Sequence, residues 1–345
     1  MSLDFEPLPI APMRVTDPSA FGRVAVLMGG TNSEREVSLE SGANVLAALK
    51  MRGIDAHAID GTAALVDAIN AGRSAATQRI DRVFNILHGG DGENGVLQGL
   101  LEALGVPYTG SGVLGSALAL DKIRTKQVWL SEGLPTPRYL RLAKGRDVHA
   151  AARDLGLPVI VKPSCEGSSV GVSRVFDDAD LESAVALATG YPGELLMEQM
   201  IQAHPDVRGE YSIGVLNGRA LASVHILPAG AYYDYHAKYI ADDTQYLCPG
   251  LDDSGEARAR ANAERAYAAL GLRGAARVDF MIDGDGAHWL IEANTAPGMT
   301  SHSLLPKSAS AFGISYEELC WRMLETSLPG EPATAAAMPA MGSGG

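Results

Sequence analysis

The sequence predicts a chain of α/β and α+β architecture, in which one α/β domain precedes two α+β lobes. Two observations lead to this prediction. In residues 22–117, apolar strands alternate with helices, as in a doubly wound parallel sheet. Further along the chain, successive strands are joined by short turns, which is typical of antiparallel sheets. We therefore expect three units, at residues 22–117, 118–205 and 206–329.

The first unit opens with "RVAVLMGG" (residues 23–30), a continuous apolar run ending in glycines that is typical of a strand buried on both faces. We expect a helix to begin at Ser33, because Ser33 and Glu36 have capping-box spacing, and to end at Gly53. "IDAHAID" and "RVFNILHGG" are the next strands. "AALVDAINAG" and "GVLQGLLEALG" are the helices that follow them.

The second unit opens with a single helix, "LALDKIRTKQVWLSEG", which should end at Gly133. Its strands are "VIVKPS", "VGVSRV" and "LLMEQM", with the helix "DADLESAVALAT" before the last. The third unit contains the hairpin "EYSIGVLNGRALASVHIL", whose Asn-Gly pair is a turn signal. A long Ala-rich helix and a second hairpin, "AARVDFMIDGDGAHWLIEANT", complete it.

The second hairpin should turn at Asp283 to Gly286, which places Ile282 opposite Ala287 and Asp279 opposite Leu290. One face then carries the polar side chains: Arg277, Asp279, Glu292 and Asn294. The other face should be core: Val278, Phe280, Ile282, Trp289 and Ile291. The polar face offers hard oxygen ligands that suit Mg²⁺, although a solvated face with an Arg–Glu pair is an equal alternative at this point.

Composition excludes several classes of protein. The chain is 46% hydrophobic with a formal net charge of −13, which is unfavourable for binding nucleic acid or an anionic membrane. Cys165, Cys248 and Cys320 form no CxxC pair, so neither a disulfide framework nor a zinc site is indicated. No signal peptide and no apolar stretch near ~20 residues is present. We expect a cytoplasmic protein with an N-terminal extension (residues 1–21) and a disordered tail (330–345).

Three loops offer polar groups to a ligand. "EGSSVG", after Lys162, could present backbone N–H groups and hydroxyls to phosphate, or it could be an ordinary hairpin connection. Cys165 as a nucleophile is a weaker alternative. "TAPGMTSHSL" has small residues whose N–H groups could approach a carboxylate or an oxyanion. The Tyr- and Asp-rich loop at about 229–248, with Lys238 and Tyr239, is either a disordered insert or a lid.

Two residues of the first unit are also candidates for binding. Glu34 follows the "MGGTN" loop at a helix N-terminus, where it could bind an ammonium or simply favour the helix dipole. His88 ends a buried strand, where open α/β sheets place ligands, although a lone histidine is often structural.

Together these segments resemble the D-alanine–D-alanine ligases of the ATP-grasp superfamily. The likeness runs from about Arg23 to Leu328 and is carried, in order, by "GGTNSEREVSLESG", "LHGGDGENGVLQG", "PYTGSG", "LDKIRTK", "LPVIVKPSCEGSSVGVS", "YYDYHAKY", "TQYLCP", "ARVDFMID" and "EANTAPGMTSHSL". It implies a Rossmann-like N-terminal domain followed by a two-lobed ATP-grasp fold. It also implies ATP-dependent joining of two D-alanines through a D-alanyl phosphate, for peptidoglycan precursors, by a homodimer.

The resemblance assigns roles to residues of this sequence. ATP would be bound by Lys122, Lys162, Ser169, Glu198, Glu210, Lys238 and Phe280. Two Mg²⁺ ions, which Mn²⁺ can replace, would be bound by Asp279, Glu292 and Asn294. The first D-alanine would be held by Glu34, linked to Ser168 and Tyr239, with His88 near its carboxylate. The oxyanion would be stabilised by Arg277 and the N–H of Gly298. The second substrate's carboxylate would be held by Ser303 and the N–H of Leu304.

Three positions depart from the family pattern. Cys165 stands where Arg is frequent, Gln199 where Lys is frequent, and His236 where Glu is common in the lid. Rival functions remain at this stage: a D-alanyl-D-serine or D-alanyl-D-lactate ligase, a non-catalytic ATP-binding module, and a cysteine-nucleophile enzyme. Tyr239 argues against the D-lactate type, in which this tyrosine is typically replaced.

Overall fold

The N-terminal domain is built on a three-stranded parallel sheet of order β2–β1–β3. Its strands are β1 (Val24–Met28), β2 (Ala56–Asp60) and β3 (Arg82–Asn85). All five residues of the central strand β1 are buried, as the apolar run predicted. Its helices are α1 (Arg35–Met51), α2 (Gly61–Ser74) and α3 (Val96–Leu104). The structure is a computed structural model that describes residues 11–75, 78–143, 147–202, 210–228 and 243–329.

Helix α1 does not begin with the predicted capping box. Its N-cap is Glu34 rather than Ser33, and the Glu34 side chain makes no capping hydrogen bond. Asn32 instead accepts the Glu34 N–H at 3.0 Å, so this short side chain supplies the local turn. The Glu34 carboxylate is therefore available to other partners. The predicted end is confirmed, since Gly53 follows the helix with a φ of +79°.

The helix predicted to open the second unit is two helices. Helix α4 (Val113–Leu120) and helix α5 (Lys122–Ser131) are separated by Asp121, which has extended backbone angles. The Asp121 carboxylate accepts the N–H groups of Ile123 and Arg124 and so caps α5. The prediction of one helix is wrong because apolar periodicity continues through a residue that is better satisfied as an N-cap. As a result, Lys122 is the first residue of a new helix.

The central lobe contains a four-stranded antiparallel sheet of order β4–β7–β5–β6. The strands are β4 (Tyr139–Leu142), β5 (Val159–Pro163), β6 (Ser173–Val175) and β7 (Leu195–Gln199). The helices are α6 (Val148–Leu155) and α7 (Leu181–Thr189). They pack on the sheet around a buried apolar cluster that includes Leu155, Val161, Leu181 and Met197. The predicted pairing of β5 with β6 is confirmed.

The C-terminal lobe contains a five-stranded antiparallel sheet of order β10–β9–β8–β11–β12. The strands are β8 (Glu210–Leu216), β9 (Arg219–Leu227), β10 (Gln245–Leu247), β11 (Ala275–Ile282) and β12 (His288–Asn294). The helices are α8 (Asp253–Ala269), α9 (Leu304–Ser310) and α10 (Tyr316–Glu325). The Asn217–Gly218 turn is confirmed, with both residues at positive φ. β10 shows that part of the predicted lid loop is an edge strand.

The register of the second hairpin differs from the prediction. At the turn, Ile282 pairs with His288 rather than with Ala287, a shift of one residue. A bulge beside Asp279 adds a second, so that Asp279 pairs with Glu292 rather than with Leu290. The predicted polar face is nevertheless formed, since Arg277 also pairs directly with Asn294. The core face contains Leu290 and Ala293 beside Val278 and Phe280, whereas Trp289 and Ile291 are half-buried. A single bulge cannot be inferred from alternation, and it shifts every outer pair by one residue.

Residues 11–22 are packed against the C-terminal helix α10 rather than extending from the fold. The buried carboxylate of Glu325 accepts the backbone N–H groups of Arg14 and Val15 and the indole N–H of Trp321. Apolar side chains of the N-terminal domain and the C-terminal lobe also belong to one buried cluster, which includes Val26, Phe84, Leu305 and Trp321. These two units therefore share a core. The central sheet with α6 and α7 has its own, whereas Trp129 and Leu134 of the second unit belong to a cluster with the C-terminal sheet.

Each sheet lies within one of the three predicted units, although the exact boundaries stay predictions. In the parts of the chain that the structure describes, no helix is both long and apolar enough to cross a membrane.

Candidate active site

A cavity of about 850 Å³ opens where the N-terminal domain, the glycine loop (residues 164–171) and the C-terminal sheet meet. Ten of the predicted site residues line it: Glu34, His88, Lys122, Ser168, Arg277, Glu292, Asn294, Gly298, Ser303 and Leu304. They come from all three units, so the cavity exists only in the assembled fold. Its volume is sufficient for a nucleotide-sized ligand.

The glycine loop contacts the N-terminal domain through Ser168, whose hydroxyl donates a hydrogen bond to the Glu34 carboxylate. Ser168 and Ser169 both have positive φ, at 50° and 60°, and the Val170 N–H closes the turn onto the Gly167 carbonyl. Non-glycine residues reach this region at a cost in energy, which is typical of functional loops. This turn directs Ser168 at Glu34, and it links the central lobe to helix α1 as the sequence predicted.

His88 is buried and holds the loop after β12 in place. Its Nδ1–H donates to the Ala296 carbonyl at 2.9 Å, while Nε2 lies 3.4 Å from the Ser41 hydroxyl. The same Ser41 oxygen accepts the Met299 N–H at 3.1 Å. Burial lowers the pKa of His88, with the nearby Glu34 charge opposing it, so the ring is neutral near pH 7. Both ring nitrogens are engaged with protein atoms, which makes His88 a rigid part of the wall.

The polar face of the second hairpin pairs its carboxylates with cations. Arg277 makes two charge-assisted hydrogen bonds to Asp279, at 2.8 and 2.7 Å, and Ser212 donates a third at 2.6 Å. Lys122 lies 3.1 Å from the Glu292 carboxylate. Burial is the largest influence and lowers the pKa of Lys122, but Glu292, Cys165 and Glu198 together outweigh it, so the pKa is raised. Arg277 and Glu292 line the cavity, and on this face Asp279 is paired with Arg277 and Glu292 with Lys122.

Two predicted ATP contacts lie behind the cavity wall. Lys162, on β5, forms an ion pair with Glu198 on β7, and both side chains are almost fully buried. Burial would raise the pKa of Glu198, but Lys126 and Lys162 together lower it below its usual value. Lys126 was missed by the sequence analysis: its ammonium lies 2.9 Å from the second oxygen of Glu198. The only signal for it was its position one helical turn after Lys122.

The loop after β12 brings a backbone N–H group next to a hydroxyl. A Cβ atom on Gly298 would lie 2.7 Å from the Ser303 Oγ, so a side chain at this position would have to displace that hydroxyl. The Ser303 hydroxyl accepts the Thr300 N–H at 2.9 Å, and Ser303 is the N-cap residue of helix α9. The loop thus directs Gly298, Ser303 and Leu304 into one corner of the cavity.

Comparison with known proteins identifies the family of this chain. Residues 128–325 match the family model described as D-ala D-ala ligase C-terminus, and residues 61–111 match the D-ala D-ala ligase N-terminus. The D-alanine--D-alanine ligase of Xanthomonas axonopodis pv. citri (strain 306) is 62% identical over 91% of this chain and 98% of its own length. The chain belongs to the D-alanine–D-alanine ligase family. A second relative, the ligase of Stutzerimonas stutzeri (strain A1501), is 50% identical over 90% of this chain and 96% of its own length.

Solved structures of this family have the same fold. The D-alanine--D-alanine ligase of Bacillus anthracis complexed with ATP aligns with a TM-score of 0.74 and 34% identity, covering 88% of this chain and 96% of that one. A second structure of the Bacillus anthracis ligase aligns with a TM-score of 0.76 and 35% identity, over 88% of this chain and 97% of that one. The predicted ATP-grasp architecture is therefore confirmed.

Some of the residues that the resemblance assigned are not brought to the cavity. Phe280 lies on the opposite face of β11 from Arg277, buried between Tyr211 and His288. Ser169 and Glu210 are half-buried and do not line the cavity wall. Lys238, Tyr239 and His236 lie outside the described residues. Phe280 follows Asp279 in a strand and therefore projects to the other face, so its contact with ATP stays a prediction.

The cysteine-nucleophile alternative has no support in the structure. Cys165 does line the cavity, but burial raises the pKa of its thiol, which is the opposite of an activated nucleophile. Its hydrogen-bonding neighbour is the Ser164 hydroxyl, at 3.3 Å, rather than a histidine. Gln199, the second departure from the family pattern, is exposed at the end of β7.

Glu93 is a further member of the cavity wall that the sequence analysis missed. It accepts the Gly89 N–H at 2.9 Å. Burial, followed by the nearby charge of Glu34, raises the pKa of Glu93 to about 8. A carboxyl in this condition is largely protonated near pH 7 and can donate a hydrogen bond. Its only sequence signal was its place in the same glycine-rich segment as His88.

Proposed function

We propose that the residues of this cavity catalyse the joining of two D-alanines, driven by cleavage of ATP to ADP and phosphate. The observation that carries the proposal is the convergence of Glu34 and Ser168 with Lys122, Arg277 and Glu292 around one cavity, in a chain of the D-alanine–D-alanine ligase family. An acidic group for an ammonium thus lies opposite a group of cations for phosphates. This arrangement fits a zwitterionic amino acid beside a nucleotide.

The nucleotide would bind between the central and C-terminal lobes. Lys122 and Lys162 would neutralise phosphate charge, and the glycine loop would cover the phosphates with its N–H groups. The carboxylate oxygen of the first D-alanine attacks the γ-phosphorus of ATP, and ADP leaves. The product, D-alanyl phosphate, has a good leaving group where the carboxylate had none. Water must be excluded at this stage, because the acyl phosphate hydrolyses readily.

The second step forms the peptide bond. The amine nitrogen of the second D-alanine attacks the acyl carbon, phosphate leaves and the nitrogen loses a proton. Arg277 and the N–H of Gly298 would stabilise the developing oxyanion, and each donor of this kind lowers the barrier by roughly 3–4 kcal/mol. Ser303 and the N–H of Leu304 would hold the carboxylate of the incoming amino acid. Glu34, fixed by Ser168, would hold the ammonium of the first one.

The donor set on the second hairpin fits Mg²⁺. Asp279, Glu292 and Asn294 supply two carboxylates and an amide oxygen on one sheet face. In the described residues no group of three His, Cys, Asp or Glu could hold a metal alone, so water and phosphate oxygens would complete the ligand set, as is usual for Mg²⁺. When bound, the ions supply charge neutralisation for the transferring phosphoryl group. Lys122 and Arg277 currently balance these carboxylates.

Phosphate release from ATP tests this proposal directly. We expect release with D-alanine and Mg²⁺, and little or none with L-alanine, D-serine or D-lactate as the second substrate. Absence of D-alanine-dependent release would refute the proposal, and equal release with D-lactate would favour the sister activity. Glu292→Gln should remove turnover, and the exposed Glu182→Gln should not.

We propose a homodimer in the cytoplasm, as the family resemblance predicted. Sedimentation velocity of the purified chain would test the dimer, and a single species at monomer mass across the micromolar range would contradict it.

A further inference from the structure

Lys126 is the most fully buried charged side chain near the cavity, with 0% exposure. It lies on helix α5, one turn after Lys122, but points away from the cavity lining and into the junction of the two ATP-grasp lobes. Its ammonium lies 2.9 Å from a Glu198 oxygen and donates to the Thr136 hydroxyl at 2.6 Å. A buried ammonium group is costly in free energy unless it is paired with an opposite charge and hydrogen-bonded.

The contacts of Lys126 extend into both lobes. On one side, Glu198 belongs to β7 of the central sheet and shares its other oxygen with Lys162. On the other side, the Thr136 hydroxyl donates a hydrogen bond to the Leu290 carbonyl at 2.8 Å. The Leu290 N–H donates a second one to the Pro135 carbonyl at 2.9 Å. Leu290 lies on β12, two residues before Glu292. Lys126 thus connects the strand that carries Glu198 to the strand that carries Glu292.

The charges around Lys126 do not balance. Among the described residues, the ammonium groups of Lys126 and Lys162 share the one carboxylate of Glu198, while the nearby Lys122 is paired with Glu292. Burial lowers the pKa of Lys126 to about 8, with Lys162 and Lys122 adding to the effect and Glu198 opposing it. The Tyr139 ring, 5.7 Å from the ammonium, gives a further weak attraction. The cluster therefore holds excess positive charge behind the region proposed for the phosphates.

We propose that Lys126 is a positioning residue for the nucleotide, one that fixes Glu198 and, through it, Lys162. With one Glu198 oxygen held by Lys126, the other oxygen sets the position of the Lys162 ammonium. Through Thr136 and Leu290, the same lysine fixes the central lobe relative to β12. This inference rests on the proposed contacts of Lys162 and Glu198 with ATP. It goes beyond them because Lys126 itself touches no ligand.

Lys126→Met removes the ammonium while keeping the length of the side chain. We expect it to weaken ATP binding, and to raise the KM for ATP, by about tenfold, since a charge-assisted contact is lost. The KM for D-alanine should change less than twofold. In the unaltered protein, kcat/KM for ATP should fall above pH 8, as Lys126 loses its proton, and this alkaline limb should be absent from Lys126→Met. Lys50→Met, at an exposed lysine of α1, is the matched control.

Thr136→Val provides an independent test that leaves the lysine in place. Loss of an acceptor for the ammonium should shift the alkaline limb to lower pH. Unchanged ATP affinity and an unchanged limb in either folded variant would overturn the inference. ATP binding is measured at equilibrium without D-alanine. If the unaltered protein binds ATP and joins D-alanine, and Lys126→Met has the same ATP affinity and the same pH dependence, only the inference about Lys126 fails. If the unaltered protein does not bind ATP, the proposed function fails as well.

Discussion

Two single residues shape this cavity through the backbone path of the loops that carry them. Gly298 is the clearest case, because a side chain there would meet the Ser303 hydroxyl within 2.7 Å. Ser168 is another, because its positive φ is what brings its hydroxyl to Glu34. Both residues position backbone or hydroxyl groups that the proposed chemistry uses. Their importance therefore comes from the backbone path of a loop rather than from side-chain reactivity.

Gly298→Ala should lower turnover strongly. The new Cβ must displace either the Gly298 N–H or the Ser303 hydroxyl, and loss of one oxyanion donor costs roughly 100-fold in kcat. The KM for the second D-alanine should rise as well. Gly284→Ala is the matched control, because a Cβ there would meet nothing within 4 Å and its φ is not positive. Steady-state kinetics with D-alanine measure both effects, and equal activity of the two variants would contradict the prediction.

At the scale of elements, the C-terminal sheet carries a row of stacked rings across four strands. His225, Tyr211, Phe280 and His288 follow one another from β9 to β12, with ring centroids 4.3 to 5.3 Å apart. His288 ends the row at the sheet edge. Neither of its ring nitrogens has a hydrogen-bond partner among the described residues. Such a buried imidazole is stable only while it is neutral.

His288 should therefore make the fold sensitive to acid. Burial, helped by nearby Arg258 and opposed by Asp283, lowers the pKa of His288 to about 4 from 6.5. Well above pH 6.5 the ring is neutral in both the folded and the unfolded chain, so its protonation does not change the free energy of unfolding. As pH falls toward 4, the unfolded chain binds a proton that the folded chain does not, so stability is lost. After allowance for solvent screening, we expect a loss of roughly 2 kcal/mol over this interval.

His288→Phe should remove that part of the acid loss. Chemical denaturation at pH 7.5 and pH 4.5 measures the free energy of unfolding in each variant. His57→Phe is the control, because the His57 side chain is half-exposed beside Asp55. If the pH dependence of His288→Phe equals that of the unaltered protein, the assignment of the acid loss to His288 is wrong.

How much of the site was predictable also depends on scale. Residues that occur in a sequence motif, such as Asp279 and Glu292, were found because strand alternation places them on one face. The bulge beside Asp279 was not predicted, since nothing in the alternation of polar and apolar residues marks an extra residue. Lys126 and Glu93 were missed because their properties arise from burial between distant segments. Burial of this kind is decided by tertiary packing, which a single sequence does not display.

The cores divide the whole molecule into two bodies. One is the central lobe in a narrower sense, the sheet β4 to β7 with helices α6 and α7; the other is the rest of the described chain, in which Trp129 of helix α5 packs in one cluster with the C-terminal sheet. Leu305 belongs to a cluster shared by the N-terminal domain and the C-terminal lobe, whereas Leu181 belongs to the separate cluster of the central lobe. Both side chains are 0% exposed. Across the cavity, the bodies meet through polar contacts such as Ser168 with Glu34. Such contacts are individually weaker than a shared core, so the central lobe should open and close as a unit.

Paired core truncations test this division. Leu181→Ala and Leu305→Ala each leave a cavity of similar chemistry and should cost about 2–5 kcal/mol in stability. Native-state hydrogen exchange of Leu181→Ala should quicken in the strands and helices of the central lobe alone. Leu305→Ala should quicken exchange in the N-terminal sheet and the C-terminal sheet together, because their side chains share its core. ATP should slow exchange in the central lobe of both variants, since a ligand held between the bodies stabilises the closed arrangement. Faster exchange throughout all three sheets after Leu181→Ala would mean that the chain opens as one body, and the separate movement of the central lobe would then be ruled out.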